Sequence, residues 1–122
     1  MRIMRRIAAA VAAAALAVSL SACGGAAKPD PVPSDEVPSG VSVVTVHAID
    51  NRYEPAEVEI EVGQAVRWVF AGQMEHDVVA ADGSFVSELV TTGEYVHIFD
   101  EAGEWEYDCS IHPEMTGKVI VR

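Results

Sequence analysis

The chain has 122 residues, of which 50% are hydrophobic, with 8 basic and 19 acidic residues and a formal net charge of -11 at pH 7. An acidic excess of this size argues against nucleic acid or an anionic lipid surface as a binding partner and favours a basic protein. The length allows one small core and excludes a second domain of similar size.

The chain begins with the features of an export signal over residues 1–22. Arg2, Arg5 and Arg6 precede an apolar stretch at residues 7–20, which at 14 residues is shorter than the roughly 20 that a membrane-spanning helix needs. The arginine pair leaves twin-arginine export open. Ordinary export is favoured because the residues after the pair lack the usual aromatic residue and lysine.

The signal ends at a sequence that resembles the bacterial lipobox. Leu20-Ser21-Ala22-Cys23 places small residues before a cysteine, so we predict cleavage before Cys23 and a lipid anchor on it. A plain secretory signal with a chance cysteine is the alternative. Cleavage would leave 5 basic against 19 acidic side chains and a net charge of about -14.

Residues 23–40 are predicted to be a disordered tether that starts at the lipidated cysteine. Prolines occupy positions 29, 31, 33 and 38, among glycine, serine and acidic residues with little apolar surface to bury. Such a segment favours polyproline II at about 3.1 Å per residue, which would let it hold a domain up to roughly 50 Å from a membrane. The alternative is that the segment packs on the domain as an extra strand.

Residues 41–122 alternate apolar and polar positions with a period of two, which predicts strands. The predicted strands cover residues 41–49, 57–62, 66–70, 77–80, 85–89, 95–99, 105–109 and 118–121. Turn signals that contain glycine separate several of them, at residues 71–72, 82–83, 92–93, 102–103 and 116–117. Short strands at this spacing, without a helical period, predict an all-β sandwich with Trp68, Phe70, Phe99, Trp105 and Tyr107 in its core.

A thiolate, an imidazole and a thioether lie at three-residue steps, at Cys109, His112 and Met115, and His76 lies upstream. Two imidazoles and a thiolate with a weak axial thioether are the ligand set of a type 1 copper site, which cycles between Cu(I) and Cu(II). If lipid occupies Cys23, the disulfide that two cysteines in an exported protein would suggest cannot form. We therefore predict one copper ion at these four side chains. Zinc would fit the same ligands.

Several short motifs follow one another along the domain. They are Tyr53-Glu54-Pro55, Val62-Gly63-Gln64 before a tryptophan strand, Met74-Glu75-His76, the run EAGEWEY at residues 101–107, and Gly117-Lys118-Val119-Ile120-Val121. With these motifs residues 43–121 resemble the cupredoxins, and among cupredoxins they are most similar to amicyanin, which has the same short spacing between its second histidine and its methionine. The resemblance implies an eight-stranded Greek-key β-sandwich over residues 41–122, with copper bound by His76, Cys109, His112 and Met115.

The chain departs from the family pattern directly after the first histidine. Most cupredoxins have asparagine there, and this chain has Asp77. We expect Asp77 to accept a hydrogen bond from Ser110 and so to support the cysteine loop, which Pro113 also stiffens. The negative charge should favour Cu(II) and lower the reduction potential. Glu75 and Glu114 stand where amicyanin carries proline and an aromatic residue, and they add negative charge near the site.

The resemblance implies electron transfer through the ring edge of His112, surrounded by the apolar side chains of Met74 and Ile111. We expect a monomeric electron carrier, not an enzyme, on the extracytoplasmic face of a bacterial membrane. Its acidic residues would steer redox partners with a basic docking face, such as a cytochrome, an oxidase or a dehydrogenase. A copper carrier or scavenger with the same ligands is the alternative. A copper nitrite reductase would need a second copper and a second domain, for which the chain has no room unless a partner chain supplies them.

Overall fold

Eight strands form two four-stranded sheets in the computed structural model of this chain, which describes residues 27–122. The strands are β1 (Val43–Ile49), β2 (Arg52–Glu54), β3 (Glu57–Ile60), β4 (Ala65–His76), β5 (Val79–Ala80), β6 (Val90–Ile98), β7 (Gly103–Asp108) and β8 (Thr116–Val121). Sheet 1 has the order β2-β1-β4-β6, and sheet 2 has the order β3-β8-β7-β5. The predicted all-β sandwich is confirmed. Residues 27–122 include no apolar helix of membrane-spanning length.

Aromatic side chains fill the space between the two sheets. The rings of Tyr107, from sheet 2, and Trp68, from sheet 1, pack edge to face with their centroids 5.3 Å apart. Trp68, Phe70, Phe99 and Tyr107 are buried as predicted, and Trp105 packs half-buried against the same core. Full burial of an aromatic side chain contributes about 1.5–3 kcal/mol. The core therefore fixes how the sheets face each other and where their strand ends meet.

Several predicted boundaries differ from the structure. The turns predicted at residues 92–93 and 116–117 lie inside β6 and β8, and β2 was not among the predicted strands. The turn predicted at residues 71–72 lies inside β4, which continues to His76 with a register shift against β6 between Ala71 and His76. The strand predicted at residues 85–89 is instead a loop, in which Val86 forms an isolated bridge with Val79. Phe85 and Val86 are fully buried, so the apolar run there reflects the burial of a loop against the core.

Residues 28–35, here called the docked segment, lie along the edge of sheet 1. The N–H of Val32 donates to the carbonyl of Val86 at 2.8 Å, and the N–H of Asp35 donates to the carbonyl of Val96 on β6 at 2.9 Å. In return, the N–H of Val96 donates to Ser34 Oγ at 2.9 Å. The sequence predicted a disordered tether over residues 23–40. The structure describes residues 27–40 of this stretch, and it places Lys28 to Asp35 against the domain.

The composition of the docked segment suits both a linker and an edge strand. An edge strand such as β6 presents unpaired backbone groups, which attract another extended chain. Proline has no N–H group to donate and is therefore tolerated only at sheet edges. Pro29, Pro31 and Pro33 alternate with residues that keep this group, so one side of the segment can still pair with the domain.

Candidate metal centre

The loop between β7 and β8 folds back on itself through backbone hydrogen bonds. Cys109 directly follows β7, and the N–H of His112 donates to the Cys109 carbonyl at 3.3 Å. The N–H of Met115 donates to the His112 carbonyl at 2.9 Å, and the N–H of Cys109 donates to the Met115 carbonyl at 3.1 Å. Residues at three-residue steps therefore return to one part of the loop. Cys109 and Met115 are buried, and His112 is half-buried.

His76 reaches this loop from the other sheet. It is the last residue of β4 and is fully buried. Its Nδ1 atom lies 4.0 Å from Cys109 Sγ, and His112 Nδ1 lies 3.7 Å from the same sulfur. A first-row metal ion about 2.3 Å from sulfur and about 2.0 Å from nitrogen, in a trigonal arrangement, would separate the two donors by about 3.7 Å. The donor atoms therefore fit one copper ion.

Asp50 fixes the orientation of the His76 ring from its outer side. His76 Nε2 lies 3.0 Å from Asp50 Oδ1. When Nε2 carries the proton and donates it to this carboxylate, Nδ1 keeps a free lone pair that faces Cys109. The N–H groups of Gln73 and Met74 also donate to Asp50 Oδ1, at 3.2 and 3.3 Å. The hydrogen bond with His76 lowers the pKa of the Asp50 carboxyl.

Gly72 provides the space that this contact needs. A Cβ atom at position 72 would lie 2.4 Å from Asp50 Oδ1 and 3.2 Å from His76 Nε2. Any larger residue would therefore push the carboxylate away from the ring. Gly72 was predicted to lie in a turn. It instead lies within β4, where its lack of a side chain lets Asp50 and His76 approach each other.

Asp77 connects the end of β4 to the cysteine loop. Its Oδ1 atom accepts the N–H of Ser110 at 2.7 Å, and its Oδ2 atom accepts the Ser110 hydroxyl at 2.5 Å. Lys28 Nζ lies 2.7 Å from Asp77 Oδ2, and the Tyr53 hydroxyl donates to the Asp77 carbonyl at 2.5 Å. Burial raises the pKa of the Asp77 carboxyl, but the hydrogen bonds from Lys28 and Ser110 outweigh burial and hold the pKa below its ordinary value.

Exposed apolar side chains flank the donor cluster along the chain. Met74 lies two residues before His76, and Ile111 directly precedes His112. Their side chains are 51% and 48% exposed. Pro113, in the same loop as His112, is also exposed.

The structure brings together His76, Cys109 and His112, three of the four predicted ligands, with donor atoms within 4.8 Å of one another. Met115, the fourth, is buried in the same loop. Asp77 and Ser110 are in the hydrogen-bonded contact expected from the sequence. Two contributors were missed, Asp50 and Lys28. Each is far along the chain from the group it contacts, so no motif spacing could have identified it.

Known proteins match most of this chain in sequence. A family model described as cupredoxin-like domain matches residues 8–121. Amicyanin from Paracoccus versutus is 36% identical over 97 residues, which cover 75% of this chain and 72% of that protein. Amicyanin from Paracoccus denitrificans is 31% identical over 121 residues, which cover 89% of this chain and 91% of that protein.

Solved structures of such proteins also have a similar fold. The crystal structure of amicyanin from Paracoccus versutus matches with a TM-score of 0.58 and 36% identity, over 76% of this chain and 92% of that chain. A purple cupredoxin from Nitrosopumilus maritimus matches with a TM-score of 0.59 and 27% identity, over 64% of this chain and 98% of that chain. Sequence and fold therefore point to the same group of proteins.

Proposed function

The chain belongs to the cupredoxin family, and from this premise we propose that it is a type 1 copper electron-transfer protein that shuttles single electrons between redox partners at the outer face of a bacterial membrane. The observation that carries the proposal is a thiol and two imidazoles, drawn from two sheets, with donor atoms within 4.8 Å of one another. One copper ion is the cofactor that fits both the family and this donor set. When bound, copper supplies the one-electron couple between Cu(I) and Cu(II).

Four side chains of the chain would hold the ion, with His76, Cys109 and His112 as close donors and Met115 as a weak thioether donor. Electron transfer is fast when the ligands move little between oxidation states. The Asp50 carboxylate restrains the ring of His76, and the bonds between Asp77 and Ser110 restrain the loop that carries the other donors. Burial raises the pKa of the Cys109 thiol, so the metal-free chain keeps this sulfur protonated and poorly reactive.

The outer edge of His112 is the proposed electron port. Its ring is half-buried, and the exposed side chains of Met74 and Ile111 supply apolar surface on the neighbouring segments. A small apolar surface suits a weak encounter that dissociates quickly. The exposed acids Glu75 and Glu114 would steer a partner with a basic docking face, such as a cytochrome, an oxidase or a dehydrogenase, toward a monomeric carrier.

The location at a membrane depends on residues outside the described part of the chain. The export signal at residues 1–22 and the lipidated Cys23 both lie there. The proposal predicts that cells fed a fatty-acid analogue label the wild-type chain and that Cys23→Ala abolishes the label. A labelled Cys23→Ala variant would contradict the anchor without affecting the copper site.

The burial of the ligands favours electron transfer over copper carriage. A carrier or scavenger has to exchange its metal readily, which requires ligands that a partner can reach. Here His76, Cys109 and Met115 are buried, and the spare thioether of Met74 is the exposed one. A slow exchange of bound copper with a soluble chelator is therefore expected.

The decisive experiment compares the two cysteines of the chain. Addition of Cu(II) to the wild-type chain should give intense thiolate-to-copper absorption in the visible spectrum and a narrow hyperfine splitting in the EPR spectrum. Cys109→Ser should lose both signals, and Cys23→Ser, the matched control, should keep them. A blue, redox-active Cys109→Ser variant would rule out the proposed site.

A further inference from the structure

Lys28 places a positive charge against the buried carboxylate that supports the metal ligands. Its Nζ atom lies 2.7 Å from Asp77 Oδ2 and donates to the carbonyl of Ser87 at 2.8 Å. The Asp77 side chain is fully buried, whereas the Lys28 side chain is 26% exposed. The ammonium group therefore joins the residue after β4 to the buried loop before β6.

This contact differs from an ordinary surface ion pair. Exposed pairs contribute little because water and salt screen them, whereas a buried carboxylate without a partner is strongly unfavourable. Within residues 27–122, Lys28 is the one cation at ion-pair distance from Asp77. Ser110 donates two neutral hydrogen bonds to the same carboxylate but does not neutralise its charge. Lys28 is thus the group that balances it.

The position of the pair gives it an influence on the metal. Asp77 directly follows His76, and it binds the residue directly after Cys109. A negative charge beside the ligands favours Cu(II), and a positive charge favours Cu(I), because nearby charges act strongly where water is excluded. The expectation that Asp77 alone would lower the reduction potential therefore omits the opposite charge of Lys28.

We propose that Lys28 is a positioning residue of the copper centre, which neutralises Asp77, keeps that carboxylate on Ser110 and raises the reduction potential of the bound copper. The inference rests on the proposed function. Val32 and Asp35 hold the docked segment on the domain by backbone hydrogen bonds, so Lys28 is presented from a fixed stretch of chain. The docked segment is then part of the redox site.

Lysine 118 offers a matched control for the test. It is the other lysine of residues 27–122, and its Nζ atom lies 4.0 and 3.9 Å from carboxylates of Glu104 and Glu106 on the neighbouring strand. Lys28→Gln and Lys118→Gln therefore make the same change in net charge. Lys28→Arg keeps the charge at the first position, and Lys28→Met is a second neutral variant should Lys28→Gln fail to fold.

The full chain, loaded with copper, is titrated with redox mediators while the blue absorption is followed. We expect Lys28→Gln or Lys28→Met to shift the Cu(I):Cu(II) ratio at a fixed ambient potential about threefold to tenfold toward Cu(II), which is about 30–60 mV for a one-electron couple. Lys28→Arg and Lys118→Gln should stay close to wild type. In the copper-free chain, hydrogen exchange of the Ser110 amide should be faster in Lys28→Gln than in Lys118→Gln.

The outcomes separate this inference from the function on which it rests. A blue wild-type protein with equal potentials in Lys28→Gln and Lys118→Gln would overturn the role of Lys28 and leave the proposed function intact. A wild-type chain that binds copper without the blue absorption would overturn both.

Discussion

Replacement of Asp50 by alanine should loosen His76 and weaken copper binding. The change removes the acceptor that lies 3.0 Å from His76 Nε2, and it also removes the acceptor for the N–H groups of Gln73 and Met74 at the end of β4. Loss of a group that orients a metal ligand typically costs about 10–100-fold in metal affinity. We expect a loss of that size for Asp50→Ala. Asp50→Asn should keep most of the affinity, because its amide oxygen can accept the same bonds.

The assay is a competition for Cu(I) against a chelator whose copper complex absorbs in the visible range, followed by redox titration of each variant. Asp50→Asn separates charge from geometry, since it should raise the reduction potential while retaining affinity. Asp100→Ala serves as the control, because Asp100 is an exposed carboxylate in the loop between β6 and β7. Wild-type affinity in Asp50→Ala would refute the reasoning, and Asp50 would then serve only to complete the irregular end of β4.

Three other predictions concern packing, pH and salt. Gly117→Ala should destabilise the metal-free protein by about 1–3 kcal/mol in thermal or denaturant unfolding. A Cβ at position 117 would lie 2.2–2.6 Å from atoms of the buried Tyr107 side chain. Unchanged stability would contradict the packing described. Burial lowers the pKa of His97, against the opposing effect of Asp35. The unfolded chain therefore binds a proton at His97 more readily than the folded chain does. The free energy of unfolding should fall as the pH drops through about 6.5. His97→Gln should reduce the dependence of Tm on pH between about 7.5 and 5.5, and an unchanged slope would contradict that assignment. Finally, association with a basic redox partner should slow as ionic strength rises, and rates independent of salt would argue against steering by the acidic surface.

The loop between β7 and β8 could be predicted from the sequence because its geometry is local. Cys109, His112 and Met115 are joined by short turns, so their spacing along the chain already determines how they meet. Most strands were likewise predictable, since alternation of apolar and polar residues is a property of neighbouring positions. The full length of β4 was not predictable. Its continuation past Gly72 depends on a carboxylate that lies 26 residues before His76 in the chain.

The docked segment shows a different limit of sequence reasoning. A proline-rich, acidic stretch has the same composition whether it is a free linker or an extended chain on a sheet edge. What decides between them is the presence of an open edge at β6 and of acceptors such as the carbonyls of Val86 and Val96. The contact between Lys28 and Asp77 was likewise not predictable from the sequence, since only the folded domain brings the two residues together.

The contact of Lys28 with the domain also limits how far the domain could lie from a lipid on Cys23. Residues 24–27 are all that separates Cys23 from Lys28, and a fully extended chain covers at most about 3.6 Å per residue. An acyl group on Cys23 would therefore hold Lys28 within about 18 Å of the headgroups, far closer than a free tether over residues 23–40 would hold the domain. Such a carrier would stay close to the bilayer and would meet membrane-associated partners by lateral diffusion.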